Sequence, residues 1–123
     1  MFDVFRIFRR GKTKSAVTTV DVQKAHERLL ADKRAQIVDV REPKEWAATG
    51  VPKKAKRIPL GQLSRRAPAE LHKDRPTYVI CNSGNRSRSG SKILIKLGYA
   101  QVYDVAGGMQ AWLSAGLPVK RVG

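Results

Sequence analysis

Apolar residues in this chain fall into short β-branched runs separated by stretches with helical spacing, and the two alternate from about residue 16 onward. AVTTV (16–20) suits a strand. The spacing that follows predicts a helix capped at Thr19 and running to about Leu30, with Val22, Ala25, Leu29 and Leu30 facing the core. QIVDV (36–40) is a second strand, and Pro43 suits the first turn of a short helix that carries Glu45 and Trp46 and stops at Gly50. Residues 51–57 read as a basic loop, followed by RIPL and a small helix around Gln62–Arg66. TYVIC (77–81) is a third strand. A helix from Ser87 to Leu97 ends at Gly98, QVYDV (101–105) is the next strand, and GGMQAWLSAG forms a helix closed by Gly116. Strands alternating with helices predict an α/β domain with a mainly parallel sheet.

Before that alternation lies an arm, residues 1–16, leaving 17–123 as the folded domain. Phe2, Phe5 and Phe8 recur every third residue, with Arg6, Arg9 and Arg10 between and beyond them. Such a segment could touch an anionic membrane surface, dock on its own domain or a partner, or be disordered. Its shortness, and its end in Gly11 and a Lys/Thr/Ser stretch, favour self-docking or disorder.

Composition narrows the classes. At 123 residues with 41% hydrophobic content, the chain can bury one core without staples. Its single cysteine excludes an internal disulfide and a cysteine-rich metal site, and with two distant histidines no metal is expected. No apolar stretch approaches the roughly 20 residues that cross a bilayer. The N-terminus also lacks a signal-like apolar core, so the reading is cytoplasmic. A net charge of +15 attracts anions of every kind. The basic residues are nonetheless spread out and not interleaved with aromatics, so neither nucleic acid nor membrane is called for.

The lone cysteine, Cys81, sits at the end of an apolar run, and a glycine-containing turn and arginines follow it: CNSGNRS (81–87). In open parallel sheets ligands bind beyond the carboxyl ends of the strands. Amides of the turn and the start of the next helix can form a small bowl of donors around the sulfur. Asn82, Ser83, Gly84 and Asn85 would build that bowl, Gly84 and Asn85 tolerating left-handed backbone, with Arg86 and Arg88 adding positive charge at the rim. A free thiol is about 3% thiolate at pH 7. Stabilising the anion by ~2.7 kcal/mol makes a thiol roughly three-quarters thiolate. Cys81 therefore reads as a nucleophile, against the blander reading of an inert buried cysteine ending a strand. Four residues separate Cys81 from Arg86. Phosphotyrosine-type phosphatases use a ring one residue longer to wrap three phosphate oxygens, and the shorter ring fits a smaller charge such as a persulfide.

With these residues in view, the chain resembles the single-domain rhodaneses, thiosulfate-type sulfurtransferases. DVREPKEW (39–46), IPLGQL (58–63), CNSGNRS (81–87) and GGMQAWLSAGLPV (107–119) match that family's motifs in order, over about residues 17–119. The resemblance implies a three-layer domain with a central five-stranded parallel sheet flanked by helices. It also implies that Cys81 takes sulfane sulfur from thiosulfate or a persulfide donor, holds it as a persulfide cradled by residues 82–86, and passes it to a thiol or cyanide acceptor, an acceptor protein among the candidates, without a cofactor. One departure stands out. Where the family carries Gly-His-Ile-x-Gly-Ala, this chain has Gly50-Val51-Pro52-Lys53-Lys54-Ala55, lacking the histidine and the second glycine.

Other conspicuous residues read structurally. Asp39, Arg41 and Glu45 fit a supporting role near the site better than a catalytic one, with substrate contact by Arg41 as the alternative. Trp46, Met109 and Trp112 fit core or pocket wall. His26 and His72 are unconvincing bases. The competing functional readings are a sulfur-carrying or regulatory module that works with a partner protein, and nucleic-acid binding on charge alone.

Overall fold

The computed structural model describes residues 17–122, and the arm expected at 1–16 lies outside the described residues. Its centre is strand β5 (Thr77–Ile80), whose four residues are all buried. β5 pairs in parallel with β2 (Gln36–Asp39) on one side and β6 (Val102–Val105) on the other. Covered on both edges and both faces, it shows no hydrophobic alternation. Strand β1 (Thr18–Val20) lies beyond β6 and β4 (Lys56–Arg57) beyond β2, which gives a five-stranded parallel sheet in the order β1-β6-β5-β2-β4. A separate antiparallel pair joins β3 (Val51–Pro52) to β7 (Val119–Lys120).

The sheet separates two cores, because successive side chains of a strand point to opposite faces. Val38, Val79 and Cys81 face α3 (Leu63–Glu70) and α4 (Asn85–Lys96), packing with Leu63, Ala67 and Leu94. Ile37, Tyr78, Ile80 and Val105 face α1 (Val22–Ala31) and α5 (Gly108–Ser114), packing with Val22, Ala25, Met109 and Trp112. His26 of α1 stands edge-on to the Trp112 ring at 5.7 Å. The remaining helix, α2 (Pro43–Thr49), begins at a capping box between Glu42 and Glu45. Among the described residues no helix is long and apolar enough to cross a membrane.

Several expectations need correction. Thr19 does not cap α1: it pairs with Asp104 within the sheet, and Asp21 caps instead, its carboxylate accepting from the Lys24 amide at 2.8 Å. Leu30 is 70% exposed, one step around the helix from the inward stripe that contains Val22 and Ala25. The loop expected at 51–57 contains β3 and β4, each two residues long and so too short to leave a periodic signature. The helix expected around Gln62–Arg66 is a 3-10 turn (Leu60–Gln62) running into α3, which continues to Glu70.

The missing second glycine has a structural consequence. Lys54 holds φ 72 and is the only non-glycine in the left-handed region among the described residues. An L side chain there costs about 1–2 kcal/mol, partly offset because glycine loses more backbone entropy on folding. Lys54→Gly is therefore expected to raise stability by roughly 0.5–1 kcal/mol, read as a higher urea midpoint with an unchanged slope.

Candidate active site

The site forms where β5 delivers Cys81 and the chain turns through residues 82–84 into α4. Gly84 makes this turn possible. It caps the helix at φ 115, which side chains strongly disfavour, and its N–H donates to Cys81 Sγ at 3.1 Å. The loop's carbonyls are taken up from the opposite side, by the first turn of α5. The Met109 amide donates to the Cys81 carbonyl at 2.7 Å and the Gln110 amide to the Asn82 carbonyl at 3.1 Å. In a planar trans peptide the N–H points opposite to the C=O. The amides of Asn82 and Ser83 are thus turned away from α5. No backbone group among the described residues accepts from the amides of Asn82, Ser83, Asn85 or Arg86. Together with the N-terminus of α4, they form a cluster of donors suited to negative charge.

Close approach of α5 demands Gly108. A Cβ built there would lie 2.6 Å from the Asn82 carbonyl atoms and closer still to the Cys81 oxygen. Cys81 itself retains 1% of its surface, so the sulfur lies under its loop, while Ser83 and Asn85 are exposed.

The predicted site residues divide into two groups. Asn82, Ser83, Gly84 and Asn85 surround the turn after Cys81. Arg86 does not stand as a free charge at the rim. The helix begins at Asn85, two residues before the predicted start, and the Arg86 guanidinium grips the Glu45 carboxylate at 2.7 and 2.8 Å. That bond, foremost, holds the Glu45 carboxyl down at about 2 and raises Arg86 above its usual value. Glu45 also accepts from the Glu42 amide at 2.9 Å, so one carboxylate caps α2 and ties it to α4. Among the described residues Asp39 and Arg41 make no hydrogen bond to the sulfur and form a wholly buried ion pair at 2.9 Å. The rest of the Arg41 fork donates to Thr49 Oγ1 at 3.1 Å and to the Gly50 carbonyl at 2.9 Å, fastening α2 to the end of β2.

Sequence reasoning missed two groups. Asp104, 1% exposed, accepts from the Ser87 hydroxyl through Oδ1, while its Oδ2 has no hydrogen-bond partner among the described residues, with Arg88 Nε 3.9 Å away. Ser87 Oγ is also 3.2 Å from the Gly84 carbonyl, so this pair braces the start of α4 from below. The aspartate within QVYDV was the available signal, a charge inside a strand otherwise apolar enough for the core. The second group, the α5 amides, left no signal beyond paired glycines. Among the described residues no cluster of His, Cys, Asp and Glu could hold a metal ion.

A central parallel sheet, a cysteine at the end of its middle strand and an amide-rich turn into a helix define a single class. The chain belongs to the rhodanese-like domain family, whose model matches residues 21–115. It is 33% identical to a sulfurtransferase of Allochromatium vinosum over 84% of this chain and 94% of that protein. It is 32% identical to YrkF of Bacillus subtilis, named as a candidate sulfur carrier, over 83% of this chain but only 54% of that protein, so it spans about half of that relative. Among solved structures, a rhodanese-related protein of Thermoplasma volcanium superposes with a TM-score of 0.72 at 33% identity, covering 84% of this chain and 97% of that one.

Gly108→Ala is expected to cost at least ~2 kcal/mol in denaturant unfolding, by overpacking against the Cys81 loop at a left-handed position. Gly61→Ala, with nothing within 4 Å of the added Cβ, should change stability by less than ~0.5 kcal/mol. The Glu45–Arg86 pair makes an acid-sensitive contribution. Because the folded carboxyl is lowered from 4.5 to about 2, its stabilisation is complete above 4.5 and disappears as pH falls through about 2. With both side chains about a third exposed, it amounts to ~1 kcal/mol or less. The stability gap between the native protein and Glu45→Gln should therefore be constant from pH 5 to 7 and close below pH 4.5.

Proposed function

We propose that the protein is a sulfurtransferase that carries sulfane sulfur on Cys81. The observation that most supports this reading is the Gly84 amide on Cys81 Sγ at 3.1 Å, at the head of a 12-residue helix whose first amides lack backbone acceptors. The Cys81 thiolate attacks the outer sulfur of thiosulfate or of a persulfide donor. The donor's S–S bond breaks, and sulfite or the donor thiolate leaves with the electron pair. Cys81 then ends in a terminal sulfur that bears the negative charge about 2 Å further out. The amides of Asn82, Ser83 and Asn85 are the donors for that displaced charge, and Arg86, gripped by Glu45, keeps the end of the loop ordered. A thiol or cyanide acceptor attacks the terminal sulfur, the bond to Sγ breaks, and the thiolate returns. Electrons and atoms balance without a cofactor.

The burial of Cys81 at 1% favours a second reading, a sulfur-carrying module whose loop opens when a partner protein docks and which turns over slowly with small acceptors. One set of measurements separates the two. Intact mass after thiosulfate treatment is expected to show one added sulfur on the native protein, removed by cyanide and absent from Cys81→Ser. An unmodified native protein, or equal loading of Cys81→Ser, would overturn both readings. Stoichiometric loading with negligible steady-state thiocyanate release would select the carrier.

A further inference from the structure

We propose that a basic cavity beside β3, β4 and β7 is a binding site for a small, multiply charged oxyanion, such as a phosphorylated small molecule. The cavity has a volume of about 340 Å³ and is lined by Lys54, Arg57, Lys120 and Arg121 together with the apolar Val51 and Ala55. Among the described residues no acidic side chain lines it. The ion pairs of the described residues engage Arg34, Arg41, Arg66, Arg86 and Arg88, and none of these four. Four basic residues around one hollow give it a positive potential that an anion bound among them relieves.

The fold holds them there deliberately. Pairing of Val51 with Lys120 and Pro52 with Val119, extended by the Lys53 amide on the Pro118 carbonyl at 3.2 Å, fixes β3 against β7, so that Lys54 just after β3 borders the same cavity as Lys120 and Arg121. Lys54 keeps its cation at φ 72, where glycine would be free of strain, and backbone strain of this kind gathers at binding sites. The Arg57 guanidinium lies over the Trp46 ring at 5.8 Å, a cation–π contact that holds it near the cavity. A cavity of this volume matches small-molecule pockets, and its lining offers no aromatic face for stacking bases, which favours a small ligand over a polynucleotide. None of the lining residues belongs to the Cys81 loop, so the site stands independently of sulfur transfer.

Titration of the full chain with sodium pyrophosphate at about 0.15 M ionic strength, followed by amide chemical shifts, tests the proposal. Saturable shifts are expected at Lys54, Ala55, Arg57, Lys120 and Arg121. Lys120→Glu with Arg121→Glu should weaken binding about tenfold or more. The equally charged control, Lys24→Glu with Lys33→Glu, should change it less than about twofold. Lys54→Gly removes one cation without loading the backbone and should weaken binding about twofold or more, which covers the case in which the double variant fails to fold. Absence of saturation, shifts confined to residues 82–86, or equal weakening in the control would overturn the site. A short single-stranded oligonucleotide that outcompetes pyrophosphate at the same amides would overturn the small-ligand assignment.

Discussion

The contact between the turn after β5 and the first turn of α5 governs how the site is made. Two amides of α5 take the carbonyls of Cys81 and Asn82, and peptide planarity then decides where the next N–H groups go. Each peptide in the turn is oriented by what holds its oxygen. The free amides of the turn are a by-product of satisfying buried carbonyls, which a folded chain must do in any case. Only glycine at position 108 permits the approach, and only glycine at 84 lets the chain turn back so that its own N–H meets the sulfur. The two glycines belong to segments far apart in sequence, so the bowl is a tertiary product that neither segment forms alone.

Around that contact lies an economy of charge. The chain carries 25 basic and 10 acidic residues, and several of its few carboxylates are spent near the site. Asp39 neutralises Arg41 where neither touches water, Glu45 holds Arg86, and Asp104 receives Ser87. A buried pair of this kind contributes little net stability against an apolar replacement, yet loss of one partner leaves an uncompensated buried charge. The Asp39–Arg41 pair therefore acts as a specification: it joins the end of β2 to α2 in one geometry. That in turn presents Glu45 to the first turn of α4.

Much of this was legible in the sequence. The β-branched runs at 36–40 and 77–81 announce buried parallel strands because such strands have no solvent face, and the matching motifs announced five strands in one sheet. Cys81 drew attention because a strand-end cysteine before a glycine turn is chemically conspicuous. What escaped were relations between distant residues. Glu45 and Arg86 were each singled out, but nothing in their spacing said that they would meet 41 positions apart. Asp104 passed as a strand residue, although a carboxylate facing the core must have a partner there. Helix starts were misplaced for a local reason. Asp21, not Thr19, has both the extended backbone and the carboxylate reach, and Gly84 opens α4 before the apolar spacing that marks its body.

The burial of the sulfur ties these threads together. A thiolate surrounded by water is stabilised by solvent that must be displaced before reaction, whereas one seated among fixed amides is stabilised by groups that need not reorganise. In the sulfur-transfer reading the closed loop is the resting form, and the second sulfur has to find room beyond Sγ among the amides of residues 82–85. The loop's outer residues Ser83 and Asn85 are exposed, while the flanking ends are fixed by α5 on one side and by Glu45–Arg86 on the other. Motion that admits a donor is thereby confined to the few residues between those anchors. The Glu45–Arg86 anchor persists well into acid, because the bond to Arg86 lowers the Glu45 carboxyl to about 2. Protonating Glu45 would release that end of the loop and leave the α5 amides on the Cys81 and Asn82 carbonyls at the other.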